Sequence, residues 1–293
     1  MMLKGSLTAL VTPMTADGLL DLKAYKDFID WQINEGTDGV IPMGTTGESA
    51  TVSHDEHEAA IKACIEVAGG RVPVVAGTGS NNTIEAISLT QAAQEMGADA
   101  ALIVTPYYNK PGQKGMFEHF KAIHDASDIP IVLYNIPGRS VVDMSVDTMA
   151  RLAELPRIIG VKDATADLIR PIETRIACGA DFIQLSGEDG SILPFMGAGG
   201  HGCISVTSNV APGLCAAFHD AFAAGDLAKA TEINDKLMPL HSALFKESNP
   251  CPAKYALSLL GKMTDTVRLP LVTIGDETKA SVQAAMRHAE LID

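Results

Sequence analysis

The stretch IIGVKDATAD, residues 158–167, opens on an apolar run, Ile158 to Val161, and sets a lysine, Lys162, directly behind it. A short apolar run bounded by polar residues reads as a strand buried on both faces, as a parallel sheet covered by helices requires. Seven more such runs follow the same pattern: GSLTALVTP from residue 5, GVIPMG from 39, PVVAGTG from 73, AALIVTP from 100, PIVLYN from 130, FIQLSG from 182 and GCISVTS from 202. Between them, residues 21–36, 53–69, 83–97 and 115–127 carry helical spacing. Ser53 with Glu56, and Asn82 with Glu85, have the spacing of capping boxes.

Eight buried strands alternating with helices predict an α/β fold, a (β/α)8 TIM barrel over residues 1–224. Residues 225–293 show helical pattern without a good strand and read as a C-terminal helical appendage. An open doubly wound sheet is the alternative, but it would want a dinucleotide fingerprint. The glycine-rich GAGGHG at 197–202 follows a helix and precedes a strand, the reverse of the order such a fingerprint needs.

The chain has 293 residues, 46% of them hydrophobic, enough to bury a large core. Its 22 basic and 36 acidic residues give a net charge of −14 with no block of like charge, which argues against a nucleic-acid surface. Five cysteines, Cys64, Cys178, Cys203, Cys215 and Cys251, form no CxxC pair, and the odd number fits reduced thiols in the cytoplasm. The opening MMLKGSLTALVTPM reads as a first strand rather than a signal peptide, and no run has the length and apolarity of a membrane span.

In a (β/α)8 barrel the active site lies at the C-terminal ends of the strands. The residues there are Thr12, Gly44 to Glu48, Gly77 to Ser80, Tyr107 and Tyr108, Tyr134 and Asn135, Lys162, Ser186 to Asp189, and Ser205 to Asn209. Of 14 lysines, only Lys162 follows directly on an apolar strand core. A lysine against apolar walls loses hydration, which favours the free amine and suits attack on a carbonyl to form a Schiff base. The alternatives are an ion pair with Asp163 or Glu188, or a phosphate contact. GTTGES, residues 44–49, follows the second strand and opens a helix; its N–H groups and the Thr45 and Thr46 hydroxyls suit a small anion, or it is an ordinary turn. Tyr134 could relay protons or only pack. Arg139 could grip a carboxylate or lie on the surface. The eight histidines, His54, His57, His119, His124, His201, His219, His241 and His288, end no strand, and His54 and His57 lack the helical spacing of a zinc site, so no metal is expected.

With these residues assembled, the chain resembles the dihydrodipicolinate synthase family of pyruvate-dependent Schiff-base lyases and aldolases. GTTGESAT, AGTGSN, TPYYNKP, YNIPGR, GVKDAT and GGHGCISVTSN fall in family order along essentially the whole chain. The resemblance implies that Lys162 condenses with pyruvate, and that the resulting enamine attacks L-aspartate 4-semialdehyde to give the heterocycle of lysine (diaminopimelate) biosynthesis, with no cofactor. Tyr134, Thr45 and Tyr108 match the family's proton-relay triad, in which the tyrosine equivalent to Tyr108 comes from a neighbouring subunit. Arg139 matches the arginine that holds the semialdehyde's carboxylate, Thr46 a binder of the pyruvate carboxylate, and Gly187 and Ile204 pocket-lining positions. Ser49, Ala50, His54, His57, Asn81, Glu85 and Tyr107 match a second site that binds L-lysine as feedback inhibitor. The resemblance also implies a homotetramer built as a dimer of dimers.

Two departures bear on the second substrate. The family commonly has glutamate after its lysine and RTG after its proline loop, where this chain has Asp163 and the run Arg139, Ser140, Val141, Val142. Within the same superfamily, N-acetylneuraminate lyase and keto-deoxy sugar-acid aldolases share the lysine and the tyrosine. Arg139 and the paired tyrosines of TPYYNKP favour the synthase. A phosphate-binding barrel isomerase and a non-catalytic barrel are the readings from other classes.

Overall fold

A computed structural model describes residues 3–293. Each of the eight apolar runs forms a strand: β1 Gly5–Ala9, β2 Gly39–Ile41, β3 Val75–Gly77, β4 Ala100–Val104, β5 Ile131–Asn135, β6 Ile158–Asp163, β7 Ile183–Ser186 and β8 Gly202–Ser205. They belong to one sheet in the order β2-β1-β8-β7-β6-β5-β4-β3. Taken cyclically from β1 the order is sequential, with its break between β2 and β3. This is the α/β class of the (β/α)8 TIM barrel that the alternation of runs predicts. Twelve α-helices accompany the strands among the described residues: α1 Leu22–Asn34, α2 His54–Ala68, α3 Thr83–Met96, α4 Gln113–Ala126, α5 Pro137–Ser140, α6 Val146–Ala153, α7 Arg170–Cys178, α8 Ile192–Gly197, α9 Pro212–Ala223, α10 Leu227–Ala243, α11 Cys251–Leu259 and α12 Asp276–His288.

The chain divides into two units, one built mainly from Pro73–Ile204, the other from Gly5–Val72 with Ser205–Asp293. In the first, Ala101 and Ile103 of β4, Ile131 and Leu133 of β5, and Val161 of β6 pack with Met116, Phe120 and Ile123 of α4 and Met149 and Leu152 of α6. Strand side chains alternate between faces, so this core occupies one face of the strands and leaves their other residues to the opposite face. Gly160 is required where β6 meets β7: a Cβ there would stand 2.4 Å from the Ile183 carbonyl oxygen.

The second unit contains the parallel pair β1 and β2, helices α1 and α2, and helices α9 to α12. Several of its buried polar groups pair with one another or with the backbone. Thr8 Oγ1 donates to Gln32 Oε1 at 2.9 Å, and Asn209 both accepts from the Val11 N–H at 3.0 Å and donates to the Ala9 carbonyl at 2.8 Å. Asn209, a strand-end residue by sequence, therefore braces β1. The capping box at α2 forms as expected, with Ser53 accepting from the Glu56 N–H and Glu56 from the Ser53 N–H. At α3 only half of it does. Asn82 caps through the Ile84 N–H, while the Glu85 carboxylate accepts a hydrogen bond from Ser80.

Candidate active site

Tyr134 and Lys162 face each other as paired residues of the parallel strands β5 and β6. Their neighbours Leu133 and Val161 point into the helix-covered core. Alternation therefore sends Tyr134 and Lys162 to the opposite face, where both are 5% exposed. The Lys162 ammonium nitrogen lies 4.3 Å from the centre of the Tyr134 ring. Gly187 makes the space beside it: a Cβ at that position would stand 2.9 Å from Lys162 Cε and 2.8 Å from Ala164 Cβ.

Among the described residues Lys162 forms no salt bridge, and both carboxylates proposed as its partners are engaged elsewhere. Asp163 accepts from the Thr165 N–H at 2.9 Å and from Asn135 Nδ2 at 3.2 Å, and faces Arg170 Nε at 3.2 Å. Glu188 accepts from the N–H groups of Gly190 at 3.0 Å and Ser191 at 2.6 Å. A buried primary amine without a carboxylate partner is the arrangement a carbonyl nucleophile needs. Asp163 has a different task. Asn135 Nδ2 also donates to Asp143 at 2.8 Å, and Arg170 bonds the same Asp143 at 3.0 Å, so the ends of β5 and β6 are tied to the segment that follows Arg139.

Arg139 sits on the one-turn helix α5 with its side chain exposed. Ser140 donates to the Ile136 and Val142 carbonyls at 2.9 and 3.0 Å. Val141 then takes φ = +64°. The departure from RTG thus puts a β-branched residue where the motif has glycine, in a left-handed conformation that costs L-residues about 1–2 kcal/mol. Replacing Val141 with glycine is expected to stabilise the protein by roughly 1 kcal/mol, read as a higher urea midpoint. An unchanged or lower midpoint refutes the strain.

Tyr108 is 89% exposed and also left-handed, with φ = +70°. Tyr107 is exposed, and its carbonyl accepts from Asn81 Nδ2 at 3.1 Å, with Asn109 donating back to the Asn81 carbonyl at 2.8 Å. Asn81, Glu85 and Tyr107 therefore gather on one unit. Ile204 is buried in β8.

The other unit carries GTTGES. It opens no α-helix: Thr45–Gly47 and Ser49–Thr51 are single 3-10 turns, and α2 begins only at His54. The N–H groups of Gly47 and Glu48 are spent inside the turn, on the Gly44 and Thr45 carbonyls. What the segment offers is hydroxyl groups rather than a helix N-terminus. Ser49 is half-buried, Ala50 and His54 are exposed, and His57 is buried.

Three residues that sequence patterns did not single out hold this turn. Asn249 Nδ2 donates to Thr46 Oγ1 at 2.9 Å. Lys254, fully buried in α11, bonds Glu48 at 2.7 Å, and the Arg268 N–H reaches the other Glu48 oxygen at 3.1 Å. Burial pulls the Lys254 ammonium below its usual range, and Glu48 works against that pull. The Arg268 guanidinium bonds both oxygens of Glu56 and holds its carboxyl down at about 2. Thr12 completes the brace by donating to the Gly47 carbonyl at 2.7 Å. The available signal for Lys254 was a lysine set in the apolar run of residues 251–260.

Comparison with known proteins agrees in direction. The sequence profile of the Dihydrodipicolinate synthetase family matches residues 2–289. A 4-hydroxy-tetrahydrodipicolinate synthase of Rhodospirillum centenum is 62% identical over 285 residues, covering 97% of this chain and 98% of its own. The dihydrodipicolinate synthase of Acinetobacter baumannii, solved with pyruvate, superposes with a TM-score of 0.96 at 45% identity over 99% of each chain. A dihydrodipicolinate synthase from Cyanidioschyzon merolae with lysine bound gives 0.96 at 38% identity over 99% of each chain. A monomeric dihydrodipicolinate synthase variant gives 0.97 at 39% identity, over 99% of this chain and 98% of its own.

Proposed function

We propose, for a chain that belongs to the dihydrodipicolinate synthetase family, that it is a lyase condensing pyruvate with L-aspartate 4-semialdehyde through a Schiff base on Lys162. The observation that carries this reading is the buried Lys162 amine, free of any salt bridge among the described residues and covered by the Tyr134 ring. The amine adds to the keto carbon, water leaves, and an imine forms. Loss of a proton from the methyl group gives an enamine, whose carbon bonds to the aldehyde carbon while the aldehyde oxygen takes a proton. Ring closure by the semialdehyde's amino group on the imine carbon releases Lys162. A cationic imine next to a carboxylate acidifies the methyl group, and positioned hydroxyls move the protons.

In this reading the family's roles pass to Tyr134, Thr45 and Tyr108 as proton relay, to Thr46 as keto-acid carboxylate binder, to Arg139 for the semialdehyde carboxylate, and to Gly187 and Ile204 as lining. The exposure of Tyr108 suits a side chain offered to a second copy. Exposed Leu168, Ile169, Ile172 and Ile176 at the start and along α7 form a further apolar face that supports a homotetramer. L-Lysine is the inhibitor, at Ser49, Ala50, His54, His57, Asn81, Glu85 and Tyr107, and the bond between Asn81 and Tyr107 supports the pairing of those two.

Pyruvate followed by borohydride and digestion tests the reading. A pyruvyl adduct on the Lys162 peptide is expected, with turnover of aspartate semialdehyde, none of N-acetylneuraminate, and loss of rate on adding L-lysine. An unmodified peptide would overturn the imine route; turnover unaffected by millimolar lysine would remove only the inhibitor site.

A further inference from the structure

We infer that Asn249 is a positioning residue that fixes the direction of the Thr46 hydroxyl proton, an inference that rests on Thr46 as the keto-acid carboxylate binder. The argument is one of hydrogen-bond polarity. Asn249 Nδ2 can only donate, so its 2.9 Å bond to Thr46 Oγ1 makes the hydroxyl oxygen an acceptor there. The Thr46 proton is then turned away from Asn249 and left to donate elsewhere, which is what a substrate carboxylate requires.

The rest of the turn keeps this bond in register. Asn249 lies just before α11, and Lys254 of the same helix bonds Glu48, two residues after Thr46, at 2.7 Å with both side chains buried. The segment entering α11 and the helix itself are therefore attached to one turn at two points five residues apart. Arg268 and Thr12 close the turn from other sides, at the Glu48 carboxylate and the Gly47 carbonyl. A segment more than 200 residues from Thr46 in sequence thus sets the polarity of a binding hydroxyl.

Substitution at the two positions, with pyruvate KM and kcat measured separately, tests the inference. Asn249→Ala removes the donor and is expected to raise the pyruvate KM about tenfold with a smaller change in kcat, the size expected for a hydrogen bond to a charged group. Asn249→Asp keeps the shape but can only accept, so it draws the Thr46 proton toward itself; a larger rise in KM than for alanine is expected, from a protein that folds as well. In the double variant, Thr46→Val with Asn249→Ala, the two effects do not add, because one hydroxyl carries both. If Thr46→Val leaves the pyruvate KM unchanged, the carboxylate-binding role of Thr46 fails. If Thr46→Val raises KM but Asn249→Ala and Asn249→Asp do not, or if the effects add fully, the positioning role of Asn249 fails while the binding role stands.

Discussion

Replacing Lys162 with alanine is expected to abolish the borohydride-trapped pyruvyl adduct and to lower keto-acid turnover by on the order of a thousandfold or more. The magnitude follows from losing a covalent route rather than a contact. Lys162→Arg is expected to lose as much: it keeps the positive charge, but a guanidinium stays protonated and does not attack a carbonyl. Arginine therefore separates a nucleophile from a charge. Retained turnover in the arginine variant would support the isomerase reading, in which Lys162 acts only as a cation. The alanine variant is expected to fold, because Lys162 forms no salt bridge among the described residues and its removal strands no buried carboxylate. Circular dichroism and the urea midpoint check this.

Lys254 is expected to behave in the opposite way. Lys254→Met leaves the Glu48 carboxylate buried at 1% exposure without its counter-charge, and the stability lost is about 3–5 kcal/mol. Glu48→Gln added to Lys254→Met removes the stranded charge and is expected to restore much of that loss, because a buried ion pair is worth far less than the penalty of breaking it on one side. Urea unfolding of the single and double variants measures the difference. A single variant within 1 kcal/mol of the parent, or a double variant no better than the single, refutes the account. Pyruvate KM is expected to rise in both, since each releases α11 from the turn that carries Thr46.

The two lysines show what local sequence carries. Lys162 was legible because strand periodicity is a nearest-neighbour property: alternation about Val161 and Leu133 fixes which face a residue takes, and the end of a strand is known once the apolar run ends. The same reasoning found all eight strands and the capping box at Ser53. It misread GTTGES as the opening of a helix, because glycine and threonine permit both a helix start and a 3-10 turn, and the choice was made by Thr12, Asn249 and Lys254. It gave Glu85 to a capping box, where Ser80 competes for the carboxylate.

Local sequence was enough for the eight strands in their order and for the single lysine at a strand end, since these rest on spacing within about ten residues. Tertiary structure alone decided that Asp163 and Glu188 turn away from Lys162, that Val141 is held left-handed beside Arg139, and that Glu48 meets Lys254 across 206 residues. The physical reason is that a buried charge or hydroxyl must find its partner in three dimensions. Propensity carries no record of which distant residue that partner is.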